Sequence, residues 1–154
     1  MPSQLIRIQP LNNTPPQGML PYDQNCVAMA FSRVLGIGVY ATVNLFIARG
    51  WAATANALQY DETIQRVVDG LPLTQRALNT AWQDLRTQLS NLSDGRYFAV
   101  NNGIHEFGGR GVGHAFAIIK QGGWGTAANN SERTGYNYGS TITNSSNISV
   151  WGPA

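Results

Sequence analysis

Apolar residues fall at helical spacing from early in the chain. In Asp-Gln-Asn-Cys-Val-Ala-Met-Ala-Phe-Ser-Arg-Val-Leu-Gly, residues 23–36, Val27, Ala30, Phe31 and Val34 form one stripe. Asp23 or Asn25 offers an N-terminal cap and Gly36 a stop, so the pattern predicts a buried helix with Cys26 in its first turn. Two further helical segments are expected at about Tyr40–Ala48 and Asp61–Val68, and the small-residue stretch 50–57 between them shows no decisive period. Pro72 and Thr74 supply the start of another predicted helix, in which Leu78, Ala81, Trp82, Leu85 and Leu89 recur at helical spacing before the exit turn at 91–95.

Beyond Gly95 the period shortens to that of strands. Arg96–Val100 is bounded by Asp94-Gly95 and Asn101-Asn102-Gly103, and His114–Lys120 runs from Gly113 into Gln121-Gly122-Gly123. Gly125–Ala128 is placed to return antiparallel, and Ile148–Trp151 forms a short last strand. Helices first and strands afterwards predict an α+β domain, with N-terminal helices packed on an antiparallel sheet formed by the C-terminal half. Residues 1–22 hold five of the seven prolines and read as an extended arm, leaving 23–154 as a single domain.

Composition narrows the function classes. Only 12% of the 154 residues are charged, against about 25% in an ordinary soluble domain, and the net charge is +2. The Lys and Arg residues are scattered singly, so a nucleic-acid partner is not expected. The apolar stretch 27–58 is interrupted by Arg33, Asn44 and Arg49, which argues for core helices and not a membrane span. The start of the chain has neither the basic opening nor the apolar run of a secretory signal, so the expected location is the cytoplasm, or outside the cell by a signal-independent route. A monomer is expected.

The chain has one cysteine and two histidines. A thiol at a helix N-terminus feels the positive end of the helix dipole and the free N–H groups of the first turn, both of which favour thiolate. A nucleophile there needs a base, and His114, heading a strand behind Gly113, is the better placed histidine. If Gly122 centres the hairpin, residue 114 faces about residue 130, which favours Asn130 as the group orienting the imidazole over Asn129 or Glu132. The backbone N–H of Cys26, with Gln24 or Asn25, would serve an oxyanion, and Trp124 would wall the cleft. His105 and Glu106 read as loop residues beside the site. No close pair of metal ligands occurs, so neither a metal nor another cofactor is expected, and the glycine-rich 108–113 lacks the following helix of a phosphate loop.

Asn-Cys-Val-Ala-Met-Ala-Phe at 25–31, a helical insert, Asp-Gly-Arg-Tyr-Phe-Ala-Val at 94–100 and Gly-His-Ala-Phe-Ala-Ile at 113–118 together resemble the papain-fold toxins and NlpC-type cell-wall peptidases. The likeness spans about residues 23–131, with Asn25-Cys26-Val27 where cell-wall amidases carry Asp-Cys-Ser or Asp-Cys-Gly. It implies a papain-like core and a bacterial cysteine hydrolase of effector or toxin type, acting on a peptide, a peptidoglycan amide, or a glutamine or asparagine side chain. A deamidase or transglutaminase-like enzyme would use the same residues. An immunity protein or a secretion carrier is the partner such effectors imply. The competing expectation is a non-enzymatic binding module in which Cys26 is a core residue.

Overall fold

A computed structural model describes residues 26–108, 113–120, 126–127 and 147–154. The predicted arm and the expected site residues Gln24, Asn25, Trp124 and Asn130, together with Asn129 and Glu132, lie outside these residues.

The first stripe forms helix α1, Cys26–Leu35, whose residues from Val27 to Val34 are all buried. It ends where expected, because Gly36 takes a φ of 72°, a conformation that costs a glycine little. Helix α2, Val39–Ala48, follows at a bend of 95°. A 3-10 turn at Ala55–Gln59 then leads into α3, Asp61–Gly70, so the undecided stretch contains no full helix. No single helix among the described residues is long and apolar enough to cross a membrane.

The next segment departs from expectation. Gln75–Thr80 is not the beginning of a helix but a strand, β1, and helix α4 covers only Trp82–Leu89. Leu78 has the right spacing for the stripe yet is exposed, while Trp82, Leu85 and Leu89 form the true apolar face. Asn79, with a φ of 47°, breaks the regular backbone near the end of β1. The sheet therefore begins before α4 and does not belong to the C-terminal half alone.

The remaining strands fall close to the expected bounds: β2 is Gly95–Asn101, β3 His114–Lys120, β4 Thr126–Ala127 and β5 Ile148–Trp151. All pairings are antiparallel, and the order across the sheet is β1-β5-β2-β3-β4. Helices α1–α3 cover one face, meeting Phe98, Val100, Ala115, Ala117 and Trp151, with the Phe31 ring stacked on Phe98 at 3.7 Å. Helix α4 covers the other, where Trp82, Leu85 and Leu89 join Tyr97, Ala99, Phe116, Ile118, Ile148 and Val150. The result is a mixed α+β domain of three layers. Alternation along β3 is clean: odd positions face α1 and even positions face α4, down to Lys120, whose ammonium donates to the Ser90 and Leu92 carbonyls behind α4.

Candidate active site

Cys26 opens α1, and α1 lies across the start of β3. Its thiol is half-buried and unoxidised. Burial pushes the thiol pKa upward, opposed by the backbone N–H groups of Ala115, of Val27 and of Cys26 itself. Two of these amides belong to the open first turn of the helix, as the sequence leads one to expect. The third comes from the neighbouring strand. No local pattern announces it, because it depends on how α1 docks on β3.

His114 is the first residue of β3, adjacent to the residue whose amide meets the thiol. Its start is fixed by Gly113, where a Cβ would come within 2.8 Å of the Asn101 carbonyl oxygen. In the ladder His114 faces Asn101 of β2 directly. The imidazole stacks with the Phe116 ring at 6.2 Å and an interplanar angle of 15°, so it shares the α4 face with Phe116. Burial lowers its pKa to about 4, leaving a neutral ring at pH 7. The fold thus brings Cys26 and His114 to the same end of the sheet. The sulfur lies on the α1 side and the imidazole on the α4 side.

The β3–β4 hairpin runs one residue out of the expected register: Ile118 pairs with Ala127, where a turn centred on Gly122 pairs it with residue 126. A shift of one reverses which face each residue of the returning strand presents, so the preference for Asn130, which rested on the earlier register, has no support from this ladder.

Beside the thiol end of the sheet lies a polar network that the sequence did not suggest. The Asp61 carboxylate, almost fully buried at the start of α3, accepts hydrogen bonds from Asn102 Nδ2 at 3.0 Å and the Gly108 N–H at 2.9 Å. Its partners stand 41 and 47 residues away, beyond the reach of any local motif. His105 and Glu106 are exposed on the loop it holds. Among the described residues no three His, Cys, Asp or Glu side chains gather as a metal site. An open groove lined by Asn79, Thr80, Asp84 and Gln88 lies along α4.

Comparisons of the chain with protein-family models, curated proteins and solved structures found no match.

Proposed function

We propose that the chain is a cysteine-dependent amide hydrolase with a papain-like core, of bacterial effector or toxin type, with Cys26 as nucleophile and His114 as base. The observation that carries this reading is the position of Cys26 at the head of α1, docked on the start of β3 that His114 opens, where the backbone N–H groups of Ala115, Val27 and Cys26 oppose the effect of burial on the thiol. Such donors favour the thiolate and, once sulfur has attacked a carbonyl, suit the oxyanion of the tetrahedral intermediate. His114 takes the thiol proton and passes it to the leaving amine or ammonia. Water then cleaves the thioester, returning the thiol and releasing a carboxylic acid.

The proposal carries a structural requirement. Because the imidazole shares a face with Phe116, His114 must turn its side chain across the end of β3 to reach the sulfur. Because the face of a strand residue is set by its backbone, this movement includes a change at the 113–114 peptide. The orienting group is assigned to the 129–132 segment, and the substrate is a peptide, peptidoglycan or side-chain amide.

The placement of the imidazole favours a second reading, a binding module in which Cys26 only fills space. Mass spectrometry of casein and of purified peptidoglycan after incubation with the protein separates the two. Cleaved or deamidated product from the wild type, lost in Cys26→Ala and in His114→Ala at unchanged melting temperature, is the outcome for a hydrolase. Product formation undiminished in a folded Cys26→Ala variant refutes the nucleophile. A native thiol inert to iodoacetamide, with no product from either substrate, supports the module.

A further inference from the structure

One buried polar atom at the thiol end of the sheet lacks a counterpart. Asn102 follows the last residue of β2 and is only 5% exposed. Its backbone is tied on both sides, the N–H to the Asn147 carbonyl at 3.0 Å and the carbonyl to the His105 N–H at 3.1 Å. Its Nδ2 donates to the Asp61 carboxylate, as described above. A carboxylate accepts and does not donate, so this bond fixes the amide with Oδ1 turned away from Asp61. That oxygen is buried and receives no hydrogen bond among the described residues. Such an atom costs folding free energy, and native structures seldom keep one without an occupant or a use.

The ladder gives the atom an address. Along β2, Phe98 and Val100 face α1–α3, and Tyr97 and Ala99 face α4. Asn102, the next even position, turns to the α1–α3 side, where Asp61 of α3 holds it. This is the side of the sulfur. Val100 pairs with Ala115, and the same register carried one step further sets Asn102 against Gly113. A Cβ on Gly113 would lie 3.8 Å from the Asn102 carbonyl carbon, which agrees with that register. Asn102 is thus diagonal to Ala115, a separation of about 7–8 Å in an antiparallel pair. Ala115 is the residue whose N–H meets the thiol. Gly113, opposite Asn102, is exposed and brings no side chain to fill the position.

We propose that Asn102 Oδ1 accepts an N–H of the substrate's scissile amide, with Asp61 as the residue that positions it. The inference rests on the reading of Cys26 as the nucleophile. An amide carries a carbonyl oxygen on one edge and N–H groups on the other. The carbonyl meets the N–H groups beside the thiol, and the nitrogen edge meets Asn102. The change at the 113–114 peptide that brings His114 toward the sulfur occurs opposite Asn102, and it opens the oxygen to substrate. A site with this acceptor selects primary and secondary amides. It rejects esters and bonds to a proline nitrogen, which have no N–H to give and would leave Oδ1 unpaired.

Alkylation of Cys26 in the full chain by iodoacetamide and by N,N-dimethyl-iodoacetamide tests this, each rate divided by that of glutathione with the same reagent. In both reactions sulfur displaces iodide and the thiol proton passes to water, but only the first reagent carries N–H groups beside its carbonyl. The wild type is expected to favour iodoacetamide by about fivefold, the weight of one neutral hydrogen bond. Asn102→Ala is expected to lose that preference while its thiol still reacts, and Asn102→Leu, closer in size, serves as a second variant should the first fail to fold. A reactive wild-type thiol without the preference, or a preference that persists in a folded Asn102 variant, overturns the proposal and leaves Cys26 as the nucleophile. A thiol inert to both reagents refutes the nucleophile and the proposal with it.

Discussion

Two side chains at one end of the sheet have been driven toward neutrality by the same cause. Removal from water disfavours both a charged thiolate and a charged imidazolium, so Cys26 is held as thiol and His114 as neutral imidazole. For the proposed hydrolase this makes the resting state two neutral groups and not a preformed thiolate–imidazolium pair, so that proton transfer would accompany attack. The buried imidazole also makes stability depend on pH. In the unfolded chain His114 binds a proton below about pH 6.5, whereas in the fold it does so only below about 4. The unfolded state thus holds more protons between these values, and native stability falls as pH drops through that window while remaining level above it. The full difference is about 3 kcal/mol, an order-of-magnitude figure from the displacement of the pKa. Urea unfolding at pH 7.5 and pH 4.5 is expected to show this loss in the wild type and to lose most of it in His114→Gln. An equal pH dependence in both proteins would mean that His114 is solvated in the native state.

At the scale of elements, Asn79 shows where sequence patterning fails. Leu78, Ala81, Trp82, Leu85 and Leu89 read as one helical stripe, yet the first of them belongs to a strand and is exposed. Its strand exists because β5 presents an edge to which β1 pairs, an interaction between residues more than 65 positions apart. Asn79 marks the changeover, with a left-handed backbone, its N–H donating to the Ser149 hydroxyl at 2.9 Å and its Oδ1 accepting from Phe107. Asn79→Ala loses the side-chain bond and meets the left-handed penalty as well, a combined cost of about 2–3 kcal/mol. Asn79→Gly loses only the bond and should cost about 1 kcal/mol. Urea denaturation ranks them, and a glycine variant less stable than the alanine one would contradict the backbone argument. The elements built on locally complete signals, α1, α2, α3, β2 and β3, were legible within a residue or two. Each carries its periodicity and its turn residues within its own span. The candidate site was legible as a pair of residues at one end of the fold, because a helix start and a strand start define those places. The face taken by His114 was missed, because it is set by the phase of β3 against the core, which one residue of offset reverses.

Across the whole molecule, the strand nearest the C-terminus holds a central place. β5 lies between β1 and β2, with Phe98 opposite Trp151 and Gln75 opposite Trp151 from the other side. Its four residues serve both layers: Ile148 and Val150 enter the α4 side, and Trp151 the α1–α3 side, against Phe98 at 6.0 Å and Phe107. Nothing in Ile-Ser-Val-Trp announces this, since four apolar-rich residues read the same at an edge or in the middle of a sheet. Pairing on both sides makes the strand a condition for the sheet and not an addition to it. Without it, β1 loses its partner, β2 keeps only β3, and Asn147 no longer fastens the 102–108 loop. Removal of residues 148–154 is therefore expected to abolish the cooperative thermal transition followed by near-ultraviolet circular dichroism. Trp151→Ala, which leaves the backbone ladder intact, should lower stability by about 3–5 kcal/mol while keeping cooperativity. A cooperative fold in the truncated chain would place β5 at an edge, and with it the support for both the thiol end of the sheet and the 102–108 loop would have to come from elsewhere.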